Sequence, residues 1–381
     1  MVYTSVRRTE QFAYLSGANG TEYAYPWVFL KDNDPQEFHE TAGERTFDLL
    51  GIQLDIQPES VTLDSTGLSI KWPDRPLPSQ YSFTWLMEHA PGFRHPDSAD
   101  IEPRLWDRRE LGQVSVFSSG ACQEGSAGLL QMLHALKSEG VVLIDGLSGP
   151  QSGIEFGRRI GATRATNFGD HFSVHTKPNA NNLAYTSRSL PLHTDLPNQL
   201  YPPDFQFLHC VSNSVAGGES QLVDGWKVAE DLRQEEPGSF ELLSTISIPF
   251  RFCDDESDIL SRRPCIELDR RGRIVQLSFS GHLAAPFDMS AEIMIDYYRA
   301  FRNLMERVRR PHYQIDLKLD AGQMMVMNNR RVLHGRTGFT TDTGERQLLG
   351  FYIDKAELDS RYRKLRVAYP QVIDQNLALI N

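Results

Sequence analysis

The segment Leu192-His193-Thr194-Asp195, just past the middle of the chain, is the feature that most constrains the fold. On a β-strand, side chains two positions apart point to the same face, so the His193 imidazole and the Asp195 carboxylate would lie side by side. One further His from elsewhere in the chain would complete a set of two imidazoles and one carboxylate on one face of a metal ion. So short a motif is common by chance, and its interpretation depends on the rest of the sequence.

A second histidine that fits this set is His334, in the sequence RVLHGR at residues 331–336. It follows an apolar segment, 324–327, that predicts a strand, and Arg346 comes shortly afterwards on the next predicted strand. Two His and one carboxylate with open positions are the ligands of non-haem Fe(II) oxygenases. A guanidinium fork can hold a co-substrate carboxylate through two hydrogen bonds, as a 2-oxoglutarate oxygenase requires.

The composition is that of an ordinary globular protein. The 381 residues are 40% hydrophobic and 23% charged, which suits two domains or one large domain with an appendage. The net charge of −11 argues against nucleic acid or an anionic membrane as the main partner. The sequence shows no apolar run long enough to span a membrane and no secretory signal. Four cysteines without C-x-x-C spacing predict free thiols in a reducing compartment, and hence a cytoplasmic protein.

Many short strands with a few helices predict a mainly β fold, a sandwich or jelly roll, rather than an alternating βαβ sheet. The predicted organisation is a small N-terminal β-rich domain at 1–95, a connection at 96–120 and a large domain at 121–381. In the first domain, Tyr23 to Leu30 resembles a strand, and 61–63 with 68–72 reads as a hairpin. In the large domain we predict helices at 124–137, 153–159, from 226 and at 291–308, and strands at 141–144, 192–195, 205–211, 220–223, 274–279, 324–327 and 347–353.

Several segments together resemble one known family. They are NNLAYT at 181–186, LHTD at 192–195, LHC at 208–210, GGESQLVDG at 217–225 and LHGR at 333–336, with YPWV at 25–28, KDN at 31–33 and KWPD at 71–74 in the first domain. The chain is similar to the γ-butyrobetaine dioxygenase branch of the taurine dioxygenase (TauD/TfdA) superfamily of Fe(II)/2-oxoglutarate oxygenases. A sister activity in that branch hydroxylates 2-(trimethylammonio)ethylphosphonate.

This resemblance implies a double-stranded β-helix, or jelly roll, with flanking helices. It implies that His193, Asp195 and His334 are the catalytic iron ligands, with 2-oxoglutarate and O2 as co-substrates. An intact carboxylate at Asp195 points to hydroxylation, because halogenating relatives have a small residue there. Arg346 would bind the far carboxylate of 2-oxoglutarate, with Ser220 and Leu208 beside it.

For the substrate, the resemblance implies an aromatic cage around a trimethylammonium group. Such a cation cannot donate a hydrogen bond, so attraction to aromatic faces is the natural way to bind it. The four cage positions are Phe168, Phe172, Tyr185 and Tyr352, and Asn182 is a further substrate contact.

The sequence departs from the carnitine-forming enzymes at the anionic end of the substrate. Leu196 stands where those enzymes have a Tyr, and a second Asn is replaced within Ser280-Gly281-His282. Arg299 is a cation where they have a small residue; it is either a substrate contact or a solvated residue of a helix surface. Three substrates therefore remain open: γ-butyrobetaine, its trimethylammonioethyl phosphonate analogue and an unrelated specialised metabolite.

Two further expectations concern the first domain and the class of protein. The relatives' zinc-binding Cys cluster is missing, so we predict no structural zinc. In this family the small domain helps to form a dimer, and we expect a homodimer. The alternative to an enzyme is a non-catalytic metabolite-binding protein that has the same fold.

Overall fold

The computed structural model describes residues 3–94, 96–176, 182–340 and 344–373. The chain divides into two compact units, Met1–Asp97 and Ser98–Asn381. Most of the segment 96–120, predicted as a connection, belongs to the second unit, where it contributes a short helix and a strand.

The first unit consists of two three-stranded antiparallel sheets and two short helices around one core. The sheets have the orders β1-β2-β3 and β4-β5-β6. Trp27 and Trp72 meet edge to face in the core, with ring centroids 6.5 Å apart. The elements are β1 (Tyr3–Arg8), β2 (Phe12–Gly17), β3 (Glu22–Pro26), α1 (Trp27–Asp32), β4 (Ser60–Leu63), β5 (Gly67–Lys71), β6 (Ser79–Ser82) and α2 (Phe83–Glu88), with 3-10 turns at Pro35–Glu37 and Leu49–Gly51.

The predicted hairpin is confirmed as β4–β5. The predicted strand over 23–30 is correct up to Pro26 and wrong from Trp27 onward. The β4–β5 turn is held by Asp64, whose carboxylate accepts the backbone N–H groups of Thr66 and Gly67. Strand β3 stops at Pro26, and α1 begins at the next residue. Three positions apart, Trp27 and Leu30 then face the same core, as helical spacing requires.

The second unit contains, in the described residues, two larger β-sheets, three two-stranded sheets and the helices that flank them. Its helices, in the described residues, are α3 (Arg108–Leu111), α4 (Ala127–Glu139), α5 (Pro150–Arg158), α6 (Gly225–Glu235), α7 (Pro237–Thr245), α8 (Ala291–Val308) and α9 (Lys355–Ala368). Its strands are β7 (Val116–Ser118), β8 (Val141–Asp145), β9 (Phe172–Val174), β10 (Leu190–His193), β11 (Phe205–Asn213), β12 (Ala216–Gly217), β13 (Ser220–Asp224), β14 (Ile248–Cys253), β15 (Asp258–Arg263), β16 (Ile266–Leu268), β17 (Ile274–Leu277), β18 (Ile315–Leu317), β19 (Met324–Asn328), β20 (Val332–Arg336), β21 (Phe339–Thr340) and β22 (Arg346–Ile353).

The two main sheets of this unit have the orders β7-β8-β19-β11-β22-β9 and β10-β20-β13-β18. They share an apolar core to which Leu208, Met325 and Leu348 come from the six-stranded sheet, and Leu222 and Val332 from the four-stranded sheet. Every pairing in them is antiparallel except β7–β8. This confirms the predicted double-stranded β-helix.

The helices have the apolar spacing that the sequence predicted. In α8, predicted at 291–308, Tyr297, Phe301, Leu304 and Val308 are buried at intervals of three or four residues. Helix α4 begins with a Ser126 side chain that accepts the backbone N–H of Leu129, and it ends at a left-handed glycine. None of the helices in the described ranges combines the length and the apolar character needed to cross a bilayer.

Candidate metal and co-substrate site

His193 and His334 face each other across the β10–β20 ladder, where they are direct register partners. Their ring centroids lie 4.4 Å apart. The Oδ1 atom of Asp195 lies 3.2 Å from Nε2 of His193 and 3.6 Å from Nε2 of His334. One ligand atom from each residue lies within 4.8 Å of the others, so the three side chains could hold one metal ion.

Asp195 reaches this cluster from a turn, and the prediction that it shares a strand with His193 is wrong. Strand β10 ends at His193. Beyond it, the side chain of Asn329 accepts the backbone N–H of Asp195 at 2.6 Å and donates to its carbonyl at 3.0 Å. Leu196 then has φ +55°, in the left-handed region that a branched side chain rarely adopts. Strain of this kind collects at functional sites, where the surrounding contacts enforce it.

The protonation states fit a divalent transition metal. Nδ1 of His193 lies 2.8 Å from the Pro191 carbonyl, which can only accept, so Nε2 keeps its lone pair for a metal. Burial, with His193 nearby, lowers the pKa of His334 to about 3, which leaves its ring neutral. Burial alone would raise the pKa of Asp195, but His334, His193 and the Tyr352 hydroxyl together hold it well below the usual range. Two imidazoles and one carboxylate form the donor set that Fe(II) accepts.

Two buried guanidinium groups face the cavity beside this cluster. Arg336 ends β20 and Arg346 begins β22, and the ring of Phe339 lies 4.9 Å and 5.6 Å from the two groups. Burial, followed by the charge of Arg346, lowers the pKa of Arg336 to about 10, so both remain cationic at neutral pH. Arg336 donates to three backbone carbonyls, at Ala184, Thr186 and Arg188.

Arg346 is the guanidinium that suits an anionic co-substrate. Within the described part of the chain, the buried Nε atoms of Arg346 and Arg336 both lack a hydrogen-bond partner, but the other nitrogens of Arg336 already donate to backbone carbonyls. A buried cation with unmet donors is costly unless a ligand supplies an acceptor, and a carboxylate matches the guanidinium fork. Ser220 and Leu208 line the same cavity, and Ser220 pairs with Arg336 across the β13–β20 ladder. These residues fit one end of 2-oxoglutarate.

The four predicted cage residues, Phe168, Phe172, Tyr185 and Tyr352, all line this cavity. The ring of Phe172 lies 6.2 Å from that of Phe168 and 5.5 Å from that of Tyr352. Phe172 packs on the backbone of Gly350, its partner across β9–β22; a Cβ on that glycine would lie 2.4 Å from the ring. The absence of a side chain at Gly350 therefore makes room for the Phe172 ring.

Phe252 supports this group, although no local sequence pattern predicts that role. Its ring lies edge to face with Phe168 at 5.6 Å, on a strand of the β14–β15 hairpin. Apolar residues alternate along that strand as in any half-buried strand, so nothing local distinguishes Phe252.

Leu196, His282 and Asn182 also line the cavity. The ring of His282 lies 4.9 Å from that of His193, and burial lowers the pKa of His282 to about 4, so it is neutral. The Asn182 side chain accepts the backbone N–H of Ala184 and so caps the turn that carries Tyr185.

Arg299 is the one predicted site residue that the structure does not bring to the cavity. Its side chain is 75% exposed on α8 and pairs with Asp296 one turn earlier. Of the two interpretations of Arg299, this position agrees with a solvated residue of a helix surface, because the buried face of α8 is the opposite one.

Comparison with known proteins decides the family. The family described as "Taurine catabolism dioxygenase TauD, TfdA family" matches residues 116–352. The chain belongs to this TauD, TfdA family. It is 35% identical over 351 residues to the γ-butyrobetaine dioxygenase of Pseudomonas sp. (strain AK-1), covering 90% of this chain and 91% of that protein. It is 29% identical over 362 residues to the human γ-butyrobetaine dioxygenase, covering 91% and 92%.

A solved structure shows the same TauD-like fold. AAD-2 in complex with Mn(II) and N-oxalylglycine superposes with a TM-score of 0.50 at 14% identity, over 66% of this chain and 98% of that one. As a TauD, TfdA family member the protein is an oxygenase that uses Fe(II) and 2-oxoglutarate. The cluster of His193, Asp195 and His334 fits the iron.

Proposed function

We propose that the protein hydroxylates a C–H bond of a small trimethylammonium zwitterion, with Fe(II) held by His193, Asp195 and His334. The observation that carries this proposal is the group of four aromatic side chains lining the same cavity as the three ligands. The names of its relatives from Pseudomonas sp. and human support it, because γ-butyrobetaine is such a zwitterion. The proposed chemistry follows from the residues in three parts.

The first part is the co-substrate. Arg346 would hold the far carboxylate of 2-oxoglutarate through its guanidinium fork, with the Ser220 hydroxyl beside it and Leu208 closing one wall. When bound, Fe(II) supplies the coupled oxidation in which 2-oxoglutarate and O2 give succinate, CO2 and one oxygen atom for the substrate. By fixing the co-substrate at its far end, Arg346 leaves the near end directed at the three ligands.

The second part is the cation. The faces of Phe168, Phe172, Tyr185 and Tyr352 would attract a trimethylammonium group by about 0.5–2 kcal/mol per ring. The Tyr352 hydroxyl donates to the ionised carboxylate of Asp195, so this aromatic ring is held beside the metal ligands. A cation held here would lie in the same cavity as the three metal ligands.

The third part is the other end of the substrate, where the cavity is lined by Asn182, Leu196 and His282. Only Asn182 and the neutral His282 can donate a hydrogen bond there, because Leu196 is apolar. A carboxylate and a phosphonate both remain candidates for this end.

Substrate-dependent succinate release tests the proposal. γ-Butyrobetaine and 2-(trimethylammonio)ethylphosphonate are compared with 5,5-dimethylhexanoate, in which a carbon atom replaces the cationic nitrogen of γ-butyrobetaine. We expect at least one of the two trimethylammonium compounds to give succinate and hydroxylated product, and the isostere without the positive charge to do so far less. Release with the isostere alone would favour the second candidate, an apolar specialised metabolite, for which Phe168 and Phe172 provide an apolar wall that Phe252 supports through its contact with Phe168.

Replacing Phe172 by Ala is expected to raise the substrate KM by one to two orders of magnitude. The ring contributes about 0.5–2 kcal/mol of attraction to a cation, and its burial adds a similar amount. Phe172→Leu is the matched comparison, because it keeps apolar volume and loses the aromatic face. A KM that is unchanged in Phe172→Ala would remove this residue from the substrate site.

We also propose that the protein is a cytoplasmic homodimer formed through its first unit. All four cysteines are free, and three of them are buried, which suits a reducing compartment. Among its described residues, the first unit exposes five large apolar side chains, Leu49, Leu50, Leu54, Leu77 and Phe93, of which Leu50 is 94% exposed. Exposed apolar groups of this kind favour association.

Light scattering after size-exclusion chromatography tests the dimer. We expect twice the mass of one chain, and a monomer after the joint substitution Leu50→Glu and Leu54→Glu. Leu200→Glu, at a residue of the second unit that is 73% exposed, is the control and should leave the dimer intact. A wild-type protein with the mass of a single chain would refute the proposal.

A further inference from the structure

The two oxygen atoms of the Asp195 carboxylate have different surroundings. Oδ1 faces the Nε2 atoms of His193 and His334. Oδ2 points away from them and accepts two hydrogen bonds, one from the Tyr352 hydroxyl at 2.6 Å and one from the side-chain amide of Gln206. One oxygen is therefore available to a metal, and the other is occupied by the protein.

The two donors come from the opposite sheet and are fixed relative to each other. Gln206 on β11 and Tyr352 on β22 are direct register partners, so their side chains leave the same face of the six-stranded sheet. Their exposed fractions are 2% and 3%. A central β-ladder thus sets the spacing of the two donors, while the turn after β10 carries Asp195.

This geometry restricts how Asp195 can bind a metal. A carboxylate can ligate through one or both oxygens, and a two-oxygen mode would require Oδ2 to turn toward the ion. That rotation would break both hydrogen bonds and leave two buried donors without an acceptor. One-oxygen ligation keeps a coordination position open for the reactants.

We propose that Tyr352 and Gln206 are positioning residues that hold Asp195 as a one-oxygen metal ligand. Tyr352 also presents its ring to the substrate cavity, so one side chain connects the bound substrate to the metal ligand. The inference rests on the proposed metal site, and it is independent of which substrate is turned over.

The test compares Tyr352→Phe and Gln206→Met with matched controls in the same unit. Tyr313→Phe removes a similar hydroxyl-to-carboxylate bond, made to Asp231 at 2.7 Å, away from the site. Gln276→Met removes a buried amide that donates to Glu267 at 3.1 Å. The melting temperature checks folding. Tyr352→Phe removes one oxygen atom and carries the test by itself if Gln206→Met does not fold.

The readouts are the affinity for Co(II) by calorimetry, the visible absorption spectrum of bound Co(II), and the split between KM and kcat. We expect Tyr352→Phe and Gln206→Met to lower Co(II) affinity by roughly 10–100-fold, because removing a hydrogen-bond partner of a metal-ligating side chain weakens metal binding by about that factor. Their Co(II) spectra should change in intensity because the coordination number changes. Tyr352→Phe keeps the ring, so its substrate KM should stay within about threefold of wild type while kcat falls.

Two results would overturn the inference. One is a Co(II) affinity and spectrum in both variants that match those of Tyr313→Phe and Gln276→Met. The other is a Tyr352→Phe variant in which only the substrate KM changes, which would make Tyr352 a substrate contact alone. A wild-type protein that binds Co(II) but turns over no trimethylammonium compound would refute the proposed substrate and leave this inference intact.

Discussion

Replacing Asp195 by Ala is expected to lower the affinity for Fe(II) or Co(II) by at least about 100-fold and to abolish succinate release. Removing a hydrogen-bond partner of a metal ligand already lowers metal affinity by about 10–100-fold, so removing the ligand itself should lower the affinity further. Asp195 is also the only anionic side chain in the cluster that could hold the metal, within the described ranges. Without it, two neutral imidazoles would have to hold a divalent cation in a buried site.

The same substitution should destabilise the metal-free protein. It leaves the Tyr352 hydroxyl and the Gln206 amide buried without their acceptor, at a cost of about 1–3 kcal/mol for each group. Asp195→Asn is the matched control, because it keeps an acceptor oxygen and removes the charge. We expect urea unfolding to show a loss for Asp195→Ala and a smaller one for Asp195→Asn, while both variants lose Co(II) binding. Wild-type Co(II) affinity in Asp195→Ala would refute the assignment of this ligand.

The sequence identified the metal ligands but misjudged how one of them is held. His193 and His334 lie on strands whose apolar runs are visible locally, and their pairing follows from the jelly roll. The position of Asp195 depends instead on the side chain of Asn329, which is far away in the sequence. A hydrogen bond between a side chain and a remote backbone leaves no periodic pattern, so the strand was predicted to end two residues too late.

Arg299 is a different case, because the sequence did contain the information that decides between its two interpretations. The buried positions of α8 include Tyr297, Phe301 and Leu304. At 100° per residue, position 299 falls about 200° from position 297, on the solvent face. Helical periodicity therefore predicts a solvent-exposed side chain at position 299, even though a cation stands there where relatives have a small residue.

Gln206 could not have been found from the sequence. It lies in an apolar strand, between Phe205 and Phe207, where one amide reads as an ordinary buried polar residue. Its role depends on facing a turn that belongs to the other sheet, and only the packing of the two sheets supplies that contact. The fold class was predictable because it depends on many short-range patterns, whereas such contacts depend on single long-range pairs.

Replacing Arg346 by Met is expected to raise the KM for 2-oxoglutarate by about 10²–10⁴-fold. Two hydrogen bonds to a charged carboxylate contribute about 1.5–3 kcal/mol each, and every 1.4 kcal/mol corresponds to a factor of ten. Arg346→Lys keeps the charge but loses the planar fork, so its KM should rise by less, about 10–100-fold. Substrate-dependent succinate release at varied 2-oxoglutarate concentration measures this KM for both variants.

The control for this prediction is Arg299→Met, which removes an exposed arginine of α8 and should change neither KM nor kcat. The substitution Arg346→Met should weaken 2-oxoglutarate binding without lowering the stability of the ligand-free protein. Burial lowers the pKa of Arg346, and its Nε has no partner within the described residues, so Met at this position should leave the ligand-free protein as stable as wild type or more so. A KM for 2-oxoglutarate unchanged in Arg346→Met, or raised as much in Arg299→Met, would show that the co-substrate binds elsewhere.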